Sequence, residues 1–180
     1  MTTPSPNPNA ALAKAGPLAK AGRYLTFSLG AETYGLPVLN VREIIRLCPI
    51  TPVPRMPDFI KGVINLRGTV IPVLDLRAKF QMPEAIYGDR ACIIVVQLRN
   101  PAGGSTLIGA IVDTVEEVVQ LNDPQLESAP DFGGPPETRF ILGLATLSGG
   151  VKTLLDPEKV FLTEGLLTLT PTAIRRIQND

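Results

Sequence analysis

Histidine is absent from this 180-residue chain. Its absence removes imidazole acid–base catalysis, a phosphohistidine relay and the commonest transition-metal ligand. Tryptophan is also absent, and three tyrosines and six phenylalanines are few for a platform that stacks bases or sugars. Cys48 and Cys92 fit neither a disulfide scaffold nor a CxxC metal site, and they read as small buried hydrophobes in a reducing cytosol. Seventeen basic residues balance seventeen acidic ones, so no net field favours nucleic acid or an anionic membrane. No apolar run approaches the ~18 residues of a membrane span. The opening "MTTPSPNPNAALAKAGPLAKAG" lacks the apolar core of a signal peptide and, rich in proline and small residues, reads as a disordered tail over 1–22.

Proline and glycine are plentiful, at 18 and 16 residues, and they disfavour long helices. From Tyr24 onward the chain reads as short strands between turns. "YLTFSL" alternates, with Leu25, Phe27 and Leu29 on one side. Further strands are expected at "TYGLPV", "VREIIRL", "GVINL", "TVIPVLDL", "ACIIVVQL", "TLIGAIVDTV", "EEVVQL", "ILGLATL" and "VKTLLD", with "PAGGST" as a hairpin turn. Two short helices are expected near the C-terminal end, one capped by Asp156 before Pro157 and one by Thr170 before Pro171.

The chain repeats itself. "YGLPVLNVREIIRL" (34–47) aligns with "IGAIVDTVEEVVQL" (108–121) at five of 14 positions, offset by 74. "FIKGVINLRGTVIPVLDL" (59–76) aligns with "FILGLATLSGGVKTLLDP" (140–157) at eight of 18, offset by 81. Two matching blocks in the same order imply two copies of one β-unit, with seven extra residues in the second, inside "NDPQLESAPDFGGPPETR". The expected architecture is all-β: two similar small barrels packed as one folding unit, the first over 24–85 and the second over 90–156, with exchange of terminal strands possible.

The repeat also serves as an internal control. Gly62/Gly143, Gly68/Gly149 and Asp75/Asp156 recur in both copies and lean structural, the glycines for positive φ or close approach, the aspartates as caps. Arg67 and Lys61 do not recur, because Ser148 and Leu142 replace them. Arg67 is either a solvated turn cation or a charge held in a groove by a carboxylate, with Glu43 as the candidate partner. Glu43 recurs as Glu117, so it can equally be an edge-strand charge. Asp75, Asp113, Glu116 and Glu117 form no nucleophile–base arrangement and read as solvated surface, so no enzyme, metal or cofactor is expected.

"FSLGAETYGLPVLNVREIIRL", "PDFIKGVINLRGTVIPVLDLRAKF" and "IGAIVDTVEEVVQL" together resemble the CheW family, the coupling proteins of bacterial chemotaxis, over 23–166. The resemblance implies two SH3-like five-stranded β-barrels, with 167–180 as a C-terminal helical segment. It implies a non-enzymatic cytoplasmic adaptor, monomeric alone, that joins the cytoplasmic tips of chemoreceptors to the histidine kinase CheA at membrane-associated arrays. Glu43 and Arg67 then resemble a charged pair beside a receptor-docking groove. Val41, Ile44, Val115 and Val118 resemble its apolar lining, with Lys61 and Gly62 next to it. Leu47 and Val70 resemble kinase contacts, and Phe132 an aromatic at a second kinase contact. Rival readings are an adaptor for gliding or pilus motility and a small-ligand or peptide sensor; the sensor would need a large enclosed pocket.

Overall fold

The alternation of "YLTFSL" is realised in β1 (Gly22–Leu29). Leu25, Phe27 and Leu29 enter one core, while Tyr24 and Thr26 are buried in another direction, so both faces of this strand are covered. The structure, a computed structural model, describes residues 19–84, 86–99, 103–128 and 140–161. The expected helix at Thr170, the segment 167–180 and Phe132 lie outside these residues.

β2 (Glu32–Pro37) leads through a single 3-10 turn (Val38–Asn40) into β3 (Val41–Arg46). β4 (Ile60–Leu66) and β5 (Thr69–Asp75) form a hairpin, followed by one helical turn, α1 (Leu76–Lys79). β6 (Cys92–Arg99) and β7 (Ser105–Val112) form the next hairpin, and the chain then enters β8 (Thr114–Leu121). A three-residue β9 (Leu126–Ser128), the hairpin of β10 (Ile141–Leu147) and β11 (Gly150–Leu155), and α2 (Pro157–Phe161) complete the order. The expected caps are in place. Asp75 Oδ1 accepts from Arg77 N at 2.9 Å, and Asp156 Oδ1 accepts from Glu158 N at 3.1 Å.

The strands divide between a six-stranded sheet, β8-β1-β2-β11-β10-β9, and a five-stranded sheet, β3-β6-β7-β5-β4. Neither sheet is built from one continuous stretch of chain. β1 and β2 join the second copy's sheet, and β6 and β7 join the first copy's. The exchange is reciprocal: β2 runs parallel to β11 with Gly35 opposite Leu154, and β7 runs parallel to β5 with Gly109 opposite Val73. Each copy therefore supplies two strands of the other's sheet. The six-stranded sheet exceeds the expected five because β9, from the inserted segment, pairs with β10.

Each sheet encloses its own apolar cluster, Ile64, Ile71, Val73, Ile93 and Val95 in one and Tyr24, Leu121, Ala145 and Leu154 in the other. A larger third core holds Leu25 and Phe27 from one sheet with Ile94 and Val96 from the other, and it joins the two. Neither unit could bury as much alone, and one folding unit results. Two residues of the expected tail over 1–22 make contacts with the fold. Ala19 packs on the six-stranded sheet's core, and the Tyr24 hydroxyl donates to Lys20 O at 2.7 Å. The cysteines are only half-buried, Cys48 at the edge of the five-stranded sheet's core and Cys92 at the edge of the shared one.

The recurring glycines divide. At Gly62 and Gly143 a Cβ would stand 1.9 Å from Thr51 O and 2.5 Å from Glu127 O, so each marks where a closing strand approaches the hairpin. Gly68 has φ +86, as expected of a tight turn, but in the second copy the positive φ falls on Gly150 rather than Gly149.

Candidate functional site

Cross-strand partners share a face of a sheet. Val41 stands opposite Val96 and Ile44 opposite Ile94, and both partners lie in the shared core. Val115 stands opposite Phe27 and Val118 opposite Leu25, again on the shared-core face. Residues three apart on a regular strand would point to opposite faces. They agree here because each strand is bulged at the same place: two residues, Arg42 and Glu43, oppose Val95, and two, Glu116 and Glu117, oppose Thr26. The four apolar residues thus lie on the two sheet faces that meet at the shared core. Val41 and Val115 pack against that core, while Ile44 and Val118 remain 44% and 45% exposed.

Arg67 occupies the first central position of the β4–β5 turn, between paired Leu66 and Thr69. Its φ is +52 and that of Gly68 is +86, the double positive φ of a type I′ hairpin. Asn65 Oδ1 accepts from Gly68 N at 2.8 Å and steadies the turn. From there the guanidinium reaches Glu43 in a bidentate pair, Nη1 to Oε1 and Nη2 to Oε2, each 2.8 Å. β3 and β4 are the two ends of the five-stranded order, so the pair bridges its open edges. The bridge Thr51–Val63 closes the same gap further along. Arg67's hydrogen bonds hold Glu43 below the usual carboxylate range, against a smaller opposing effect of burial. The Arg67 side chain is 74% exposed and that of Glu43 is 25% exposed, leaving the outer edge of the fork open to a partner.

The remaining expected site residues separate. Lys61 and Leu47 line one cleft of about 330 Å³ with Cys48, Ile50, Tyr87 and Ile111. Gly62 is buried beneath Thr51 and acts through its backbone. Val70 packs against the shared core, apart from the cleft that Leu47 lines.

Of the four carboxylates read as solvated surface, Glu117 is exposed as expected, but the other three are engaged. Asp75 is 6% exposed; besides capping α1 it accepts the Tyr87 hydroxyl through Oδ2. Burial and that carboxylate push the Tyr87 phenol far above its ordinary value. Asp113 accepts from Arg77 Nε at 2.9 Å and Nη2 at 2.7 Å, and from Gly30 N at 2.7 Å. Glu116 pairs with Lys152 at 3.4 Å. Arg77 and Asp113 are 36 residues apart, so no local pattern could have joined them. Among the described residues, no cluster of His, Cys, Asp and Glu could hold a metal, and no helix is long and apolar enough to cross a membrane.

The family model of the CheW-like domain matches residues 23–164. The chain is 37% identical over 141 residues to the chemotaxis protein CheW of Klebsiella aerogenes, covering 78% of this chain and 82% of that one. It is 33% identical over 142 residues to the protein FrzA of Myxococcus xanthus, covering 78% and 85%. The crystal structure of the scaffolding protein TtCheW from Thermoanaerobacter tengcongensis superposes with a TM-score of 0.69 at 32% identity, over 81% of this chain and 95% of that one. Sequence, exchanged-strand fold and structural likeness agree: the chain belongs to the CheW family of chemotaxis coupling adaptors.

Proposed function

We propose that this adaptor is non-enzymatic, works in the cytoplasm, and joins the helical tips of chemoreceptors to a CheA-type histidine kinase at receptor arrays. The observation that carries this reading is the seam. Val41, Ile44, Val115 and Val118 lie on the two sheet faces that meet at the shared core, and the outermost two stay exposed. Such a seam suits the apolar face of a receptor helix. Glu43 lies on the same β3 strand and holds Arg67, from the β4–β5 turn, whose guanidinium offers donors to polar or carboxylate groups of the receptor, fixing orientation more than adding affinity. Leu47, just after β3, and Val70, on β5, are assigned to the kinase, as is Phe132 at a second contact.

Ile44→Ser and Val118→Ser, measured by titration calorimetry against a receptor-tip helical hairpin, should weaken binding while thermal unfolding barely changes. Wild-type affinity in both variants would reject the seam as the docking surface. The likeness to FrzA supports a second reading, an adaptor of a related chemosensory pathway. Genetic complementation of chemotaxis in a strain lacking its coupling protein separates the two.

A further inference from the structure

We propose that Arg77 is a positioning residue that fixes the angle at which the chain crosses from one sheet to the other, and thereby the shape of the seam; the inference rests on the docking role proposed above. Asp113 is the single residue between β7, in the five-stranded sheet, and β8, in the six-stranded one. Its carboxylate takes the Arg77 guanidinium through Nε and Nη2, and its Oδ2 also takes Gly30 N from the β1–β2 turn at 2.7 Å. Arg77 Nη1 donates to Pro83 O at 3.1 Å. The guanidinium thus ties α1, attached to the five-stranded sheet, to the crossing, and Asp113 in turn ties the crossing to a hairpin of the other sheet. α1 is itself held by Asp75, which caps Arg77 N and Ala78 N and takes the Tyr87 hydroxyl.

The position matters because β8 carries Val115 and Val118, the second residue and the fifth after Asp113. A two-point fork is directional, so it fixes an angle as well as a distance. The other copy sharpens the point. By the same offset of 74, Asp113 corresponds to Leu39 at the β2–β3 crossing, and Leu39 is 99% exposed. No ion pair among the described residues holds that crossing. The fold can therefore be crossed without a clamp, and the clamp sits on only one of two equivalent connections.

The test uses the full chain. Methyl-resolved NMR of Arg77→Lys and Asp113→Asn is compared with Asp156→Ala, which removes the α2 cap and controls for lost stability alone. Titration calorimetry of each variant uses a receptor-tip helical hairpin and the kinase regulatory domain. The methyls of Val41, Ile44, Val115 and Val118 should move in the two clamp variants and not in the control, while Ile64 and Ile93 stay in place. Hairpin affinity should fall about two- to thirtyfold, with kinase-domain affinity unchanged. If the seam methyls keep their wild-type positions in both variants, or move equally in the control, the clamp is a stabiliser only and the inference is overturned. Failure of the wild type to bind the hairpin rejects the docking role instead, and the methyl shifts still decide the clamp.

Discussion

The hydroxyl of Thr26 makes two hydrogen bonds to the backbone of Glu117, donating to its carbonyl at 2.9 Å and accepting from its N–H at 3.2 Å. Thr26 is fully buried opposite the two-residue bulge of β8, so its side chain satisfies backbone groups that the interrupted ladder leaves over. That bulge is what sets Val115 and Val118 on one face.

Thr26→Val keeps the shape and removes both bonds. It should cost about 1–3 kcal/mol in urea unfolding, the penalty of buried groups left without partners. The same variant should bind a receptor-tip hairpin less well, because the bulge is no longer held. Unchanged stability would mean that the bulge does not need the hydroxyl.

Arg67→Asn separates partner binding from folding more cleanly than alanine does. Asparagine tolerates the left-handed backbone that Arg67 adopts at φ +52, so the turn should survive. Exposed ion pairs contribute little to stability, and the melting temperature should not fall measurably. Receptor-dependent kinase activation should drop, and Arg67→Lys should restore it only in part because the fork is lost. Normal activation by Arg67→Asn would make Arg67 an ordinary turn residue.

Gly62→Ala should fail as a fold rather than as a contact. The added methyl would lie 1.9 Å from Thr51 O at a backbone φ of +141. The expected loss exceeds about 3 kcal/mol, at the large end of single substitutions. A soluble variant with wild-type thermal unfolding would show that the Thr51 segment can move aside.

Acid should expose the Asp113 clamp. Burial raises the Asp113 pKa, but the Arg77 hydrogen bonds, Gly30 N–H and the Arg77 charge outweigh it and leave the folded-state value below the ordinary one. A depressed carboxylate stabilises the fold above its unfolded pKa of about 3.9 and loses that contribution as pH falls through the folded value. Wild type should therefore exceed Asp113→Asn in stability at neutral pH, and the gap should narrow below about pH 4. The other groups around the clamp are Arg77, which stays charged, and Asp75 with Tyr87. A gap that is constant with pH would show that Asp113 contributes no linked proton.

What the sequence alone determined is local or internal to the repeat. Alternation placed the strand cores, the Gly-rich turns placed the hairpins, and Asp75 and Asp156 were legible as caps because a cap is decided within three residues. The Glu43–Arg67 pair was legible as a candidate because one copy lacks the cation. Tertiary structure decided the rest. The repeat shows that two units are alike but not which strand completes which sheet; parallel pairing of β2 with β11 and of β7 with β5 depends on burial across the whole molecule. The spacing of Val41 with Ile44 and of Val115 with Val118 contradicts a strand period of two, and only matching bulges bring each pair onto one face. Asp113 looked solvated because its partners, Arg77 and Gly30, are 36 and 83 residues distant in the chain and meet it only at the crossing between the sheets.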